Sequence, residues 1–155
     1  TKGMNIKDIF LSNNVKLNPK VKESIKNADL IVLGPGSLFS SLIPNLLVGD
    51  LAKEINRSKA KKIYVMNVMT QYPETHGFIA ENFVSWISRY VDLDYILMNN
   101  LKPSKQKLNE YIKENKFYIE PVNTTNAKYI KKGLINDSIA VRHDSIKLAE
   151  EIVKL

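Results

Sequence analysis

The residues best able to do chemistry in this 155-residue chain fall into four polar groups. Gly34-Pro35-Gly36-Ser37 follows the apolar run Leu30-Ile31-Val32-Leu33, and the segment from Asn67 to Thr75 follows a second such run. Asn99-Asn100 follows a third, and Arg142-His143-Asp144 lies near the end. A glycine turn with a hydroxyl directly after a buried strand suits an anionic or oxygen-rich ligand, because the backbone N–H groups opening the next helix point outward there. Arg142 can grip phosphate or carboxylate through two parallel hydrogen bonds. Glu74 and Asp144 are the carboxylates placed for acid–base work or for holding Mg2+. No obvious nucleophile accompanies them, no pair of carboxylates is spaced for assignable roles, and no metal site is assigned. His76 has no partner at metal-ligand spacing and reads as a loop histidine.

Each group also has a structural reading. The tetrapeptide at 34–37 lacks the third glycine of a dinucleotide fingerprint and the Gly-Lys-Ser/Thr of a P-loop, and a tight strand-to-helix turn alone would call for its glycines. Asn99-Asn100 fits turn chemistry, Glu74 fits a surface carboxylate, and Arg142 with Asp144 fits a salt bridge fixing the last helix. What favours a site is their joint placement, since a parallel sheet sets the carboxyl ends of its strands side by side.

The elements that would position these groups alternate. Residues 6–11 form a short β-rich run, Pro19 can open a helix over 20–27 with Val21 and Ile25 facing inward, and 29–33 is a buried strand. A helix starts near Ser37, but Pro44 and Gly49 prevent one continuous rod, and 51–57 resumes helical spacing. Residues 61–68 read as a strand buried on both faces. The polar stretch 69–77 is neither strand nor helix and exceeds the length such a connection requires. Residues 78–90 return to helical periodicity, with Ile79, Phe83, Trp86, Ile87 and Tyr90 on one side. A strand at 94–98, a lysine-rich helix after Pro103, a strand at 117–122 and a loop over 124–133 follow. The pattern closes with a short strand at 138–141 and a helix over 145–155 capped by Asp144 or Ser145. This alternation implies one α/β domain over 1–155, three layers deep, with a mainly parallel sheet.

Composition narrows the class. A 44% hydrophobic content supports one real core, and the absence of cysteine excludes disulfides, thiolate metal sites and cysteine catalysis. No apolar run approaches a membrane span, and residues 1–5 have no signal-peptide core behind them, so a cytoplasmic protein is expected. The formal charge of +7 is spread over lysine clusters diluted by Glu, Asp and Asn, without a nucleic-acid recognition motif. A phosphorylated small molecule is the better match for that charge than nucleic acid.

The blocks ADLIVLGPGSL, IPNLL, KIYVMNVMTQ with the following ET, YILMNN and RHD, in this order, resemble the family of bacterial gluconeogenesis factors, uncharacterised family 0052. The archaeal 2-phospho-L-lactate transferases of deazaflavin-cofactor synthesis are its more distant members. The resemblance implies the second half of a 2-phospho-L-lactate transferase-like α/β/α fold. It implies binding of a UDP-sugar or related nucleotide conjugate and regulation of carbon metabolism and cell-wall shape. The alternative it leaves open is a magnesium-dependent transferase acting on a nucleotide-activated substrate. It further implies that Gly34, Gly36 and Ser37 line the phosphate or sugar region, that Asn67, Thr70, Gln71, Glu74 and Thr75 form a ligand loop, and that Asn99, Asn100 and Arg142 complete the edge.

Two departures matter. Tyr72-Pro73 stands where the family reads Pro-Gly, which changes the backbone the loop can adopt. The resemblance also covers only the family's second half, without its glycine-rich phosphate loop. A half sheet leaves one unprotected edge, so pairing with a first half or with a second copy is expected.

Overall fold

The apolar runs around residues 30, 63 and 97 lie side by side in the computed structural model, which describes residues 6–155. Residues 1–5, read above as lacking a signal-peptide core, lie outside the described residues. Strands β1 (Leu30–Leu33), β2 (Lys61–Val65), β3 (Tyr95–Asn99) and β4 (Tyr129–Lys132) form one parallel sheet in that order, with Leu33 opposite Tyr64, Val65 opposite Leu97 and Asn99 opposite Lys132. Parallel pairing requires crossovers, and helices supply them. They are α1 (Pro19–Lys26), a π turn (Leu38–Leu42) running into α2 (Ile43–Leu46), α3 (Leu51–Arg57), α4 (Ala80–Ser88), α5 (Lys105–Lys113) and α6 (Ser145–Ile152).

Alternation along β2 divides the core between two faces. Tyr64 and Met66 pack with Leu33, Phe39, Ile43, Phe83, Trp86 and Ile87. Ile63 and Val65 pack on the other face with Leu97 and Leu134, beneath Leu148, Ile152 and Leu155 at the C-terminal end. Burying each such side chain contributes about 1.5–3 kcal/mol. The result is a three-layer α/β/α domain with a parallel sheet. Capping agrees with the sequence: Asn18 accepts from Lys20 N ahead of Pro19, and Asp144 accepts from Ile146 N and Lys147 N, both at 3.1 Å.

Several expectations need correction. Residues 6–11 form no strand. Val21 points to solvent and Ile79 is 60% exposed, whereas Ile25, Phe83, Trp86 and Ile87 do face the core. The stretch 117–122 is extended but joins no sheet; its one bridge is antiparallel, between Met69 and Tyr118. The fourth strand is instead β4, inside the stretch expected to be a loop. Its Lys131 and Lys132 disguise it, as lysines commonly do on an edge that must not pair further. Residues 138–141 form a turn, not a strand: Asn136 Oδ1 accepts from Ser138 N at 3.0 Å and from Ser138 Oγ at 2.7 Å. That turn joins β5 (Ile135–Asn136) to β6 (Arg142–His143) in a small antiparallel hairpin. Among the described residues no helix is long and apolar enough to cross a membrane.

Candidate functional site

The chain leaves β1 through Gly34, whose φ of +83° is open to glycine at little cost. A Cβ there would stand 2.9 Å from the Val65 carbonyl oxygen, so the first turn is pressed against the end of β2. The Gly34–Pro35 and Tyr72–Pro73 peptide bonds are both cis. Ser37 then stands at the head of the π turn without capping it. Its hydroxyl donates instead to Glu74 Oε2 at 2.8 Å and accepts from Ser40 Oγ at 2.6 Å.

The loop after β2 is tied down at two buried threonines. Thr70 N donates to Phe117 O at 2.7 Å, and Phe117 N donates to the Thr70 hydroxyl at 2.8 Å. Thr75 accepts from Gln71 N through its hydroxyl and donates its own N–H to Gln71 O, both at 2.8 Å. These bonds close residues 71–75 into a compact turn from which the Glu74 side chain reaches Ser37. Thr70, Thr75 and the Gln71 backbone therefore shape the loop, while the Gln71 side chain is exposed.

Arg142 arrives from a direction that strand counting did not anticipate. It sits on the β5–β6 hairpin, folded over the end of β2 by the small apolar cluster of Val68, Ile135 and Val141 with Met69, Tyr111 and Tyr118. Val141 N donates to the Tyr111 hydroxyl at 3.1 Å, and Asp144 N donates to Leu134 O at 2.7 Å, pinning the hairpin on both sides of Arg142. Asp144 is occupied as the α6 cap. Among the described residues Arg142 forms no ion pair.

A cleft of about 390 Å³ results, lined by Pro35, Gly36, Ser37, Asn67, Val68, Met69, Val141, Arg142 and His143. It unites three of the four expected groups, with Glu74 joined to it through Ser37. Sequence reasoning passed over His143, although its place beside Arg142 was a signal. Burial holds its imidazole below the ordinary value, so the ring is neutral near pH 7. Its Nε2 and the Oδ1 of Asn67 are buried without a hydrogen-bond partner among the described residues, a state that costs about 1–3 kcal/mol for each atom. A second cleft of about 390 Å³ lies between Asn14–Leu17 and Gly49–Glu54, but it gathers none of the strand-end groups, and Lys22 there is paired with Glu54 at 3.0 Å.

Asn99 and Asn100 are not in the cleft. The Asn99 amide donates to Leu101 O at 2.7 Å and accepts from Leu134 N at 3.0 Å, and the residue is 2% exposed. Asn100 N extends the β3–β4 ladder to Lys132 O, and its side chain is in solvent. Asn99→Ala should therefore cost stability, about 1–3 kcal/mol in chemical denaturation, with ligand affinity retained by the folded fraction. Lost affinity at unchanged stability would contradict that assignment.

Known proteins match this arrangement along nearly the whole chain. The profile of the 2-phospho-L-lactate transferase CofD family matches residues 1–145. A Thermotoga maritima protein carrying the gluconeogenesis-factor name is 38% identical over 99% of this chain and 52% of its own length. The gluconeogenesis factor of Bacillus subtilis is 34% identical over 99% of this chain and 51% of its own. A crystal structure of a Bacillus halodurans protein of the UPF0052 family superposes with a TM-score of 0.88 at 32% identity, covering 95% of this chain and 50% of that one. The chain thus spans about half the length of these relatives. With these matches, the chain belongs to the 2-phospho-L-lactate transferase CofD family, within its gluconeogenesis-factor branch.

Proposed function

We propose that this chain binds a UDP-sugar or related nucleotide conjugate in the cleft between the glycine turn and the β5–β6 hairpin, and serves as a regulator of carbon metabolism and cell-wall shape. The observation that carries the reading is Arg142, which forms no ion pair among the described residues and lines one cleft with Gly36, Ser37 and Asn67. Arg142 grips the diphosphate, Gly36 allows close approach, and the buried Oδ1 of Asn67 accepts from a hydroxyl or N–H of the ligand. Calorimetric titration with UDP-N-acetylglucosamine tests this. Saturable heat is expected, and heat for GDP with none for the UDP-sugar would overturn the choice of nucleotide.

A transferase is the second reading, favoured by the name of the matching family and by the Ser37–Glu74 contact. Glu74 with the ligand's phosphates would then hold Mg2+. Magnesium-dependent turnover of a nucleotide conjugate is its test, and absence of product returns the site to binding alone.

We also infer that the chain is the second half of a larger nucleotide-sugar-binding domain whose other half pairs along β1. Asp29 O accepts from Lys61 N, so alternation turns the N–H and C=O groups of Leu30 and Val32 away from β2. The strand is wholly apolar and Val32 is 40% exposed, in contrast to the lysine-guarded β4. In a full-length protein carrying this half, the Leu30 and Val32 amides should exchange about tenfold or more slowly than in the 155-residue chain. Equal exchange would remove β1 as the junction.

A further inference from the structure

Glu74 is a fixed carboxylate without a cation. The sequence carries 23 lysines and arginines against 16 acidic residues, yet among the described residues none of those cations pairs with Glu74. Its position is set by its neighbours: Thr75 is locked to Gln71, Thr70 to Phe117, and Oε2 receives the Ser37 hydroxyl at 2.8 Å. That leaves Oε1 without a donor among the described residues, on a half-buried side chain one hydrogen bond away from a residue lining the cleft. A carboxylate accepts from hydroxyl and N–H groups and repels phosphate oxygens.

We propose that Glu74 is the specificity-determining residue of this site, accepting a hydroxyl of the neutral sugar and rejecting ligands that carry further phosphate in the sugar's place. The inference rests on the nucleotide-sugar reading and deepens it. Arg142 supplies attraction for phosphate, which UTP and a UDP-sugar share. Glu74 supplies the difference, because beyond the second phosphate one ligand presents hydroxyls and the other presents charge. The Ser37 contact strengthens this role by holding the carboxylate still, so that little side-chain ordering is left to be done on binding. Discrimination by an added repulsion is a common route to specificity where the attractive contacts are shared.

The test compares wild type and Glu74→Gln in titrations with UDP-N-acetylglucosamine, UTP and inorganic pyrophosphate, in buffer freed of divalent metal by EDTA. Glutamine keeps an oxygen able to accept from Ser37, so the loop stays latched while the charge is removed. In wild type the UDP-sugar is expected to bind more tightly than UTP. Glu74→Gln should shrink that ratio by about tenfold or more, through weaker sugar binding, stronger UTP binding or both, and should raise pyrophosphate affinity. An unchanged ratio, with all three affinities moving together or not at all, would overturn the proposal and leave Glu74 as a loop latch. If wild type binds pyrophosphate but neither uridine ligand, the nucleotide-sugar reading fails separately. A rise in pyrophosphate affinity in Glu74→Gln would then still support the charge filter, and its absence would end it. If none of the three binds, both readings fall.

Discussion

Arg142→Ala is expected to weaken binding of UDP-N-acetylglucosamine by roughly 10- to 100-fold, the equivalent of one or two charge-assisted hydrogen bonds. Thermal stability should hardly move, because the guanidinium is exposed and pairs with no carboxylate among the described residues. Arg142→Lys should recover only part of the loss, since an ammonium keeps the charge without the two-pronged geometry. Equal heats for wild type and Arg142→Ala would remove Arg142 from the site and with it the main support for an anionic ligand.

Gly34→Ala should be the most damaging small substitution at the site, costing about 2–4 kcal/mol. The added Cβ meets both a left-handed backbone, worth about 1–2 kcal/mol, and a close contact with rigid strand backbone. That contact is the Val65 carbonyl at 2.9 Å, at the end of the central strand β2, where backbone on either side cannot yield cheaply. For a chain of this size the melting temperature should fall by roughly 5–15 °C. Gly77→Ala is the control: its φ is +79°, but nothing lies within 4 Å of the added carbon, so only the conformational part of the cost remains. Similar losses in the two variants would show that the close packing of β1's turn on β2 matters less than backbone conformation.

The legible parts of the fold were those written in long apolar runs. Residues 62–65 and 96–99 are buried in the middle of the sheet as their composition says, whereas the equally apolar run 30–33 forms an edge strand with Val32 40% exposed. β4 was hidden because an edge strand has one paired side and can spend half its residues on lysine. Residues 117–122 misled for the opposite reason: Ile119 is buried, but the stretch pairs only with the loop after β2, around the Met69–Tyr118 bridge and the Thr70–Phe117 bonds, and joins neither sheet. The site was legible in its strand-end groups, and less so in its third wall. Arg142 lies near the cleft not as the end of a parallel strand but because a short hairpin folds back on Val68. No local pattern announces such a tertiary contact. The same limit explains Asn99, whose position at a strand end suits a ligand as well as it suits the Leu101 and Leu134 backbone it actually serves.

Glu74 illustrates how geometry sharpens a residue type. In sequence it is one carboxylate among 16 acidic groups; in the structure it is the one joined to the glycine turn by a direct hydrogen bond. Its pairing with Ser37 ties a loop residue to a side chain that lines the cleft, and on the charge-filter proposal attraction and repulsion for phosphate come from different elements of the fold.

The most direct measurement is an amide NMR titration of the 155-residue chain with UDP-N-acetylglucosamine. Saturable shifts are expected at Gly36 and Ser37, at Asn67 to Met69, and at Val141 to His143, three segments that only the folded cleft brings together. Shifts gathered instead around residues 14–17 and 49–54, or none at millimolar ligand, would contradict the assignment of this cleft as the nucleotide-sugar site.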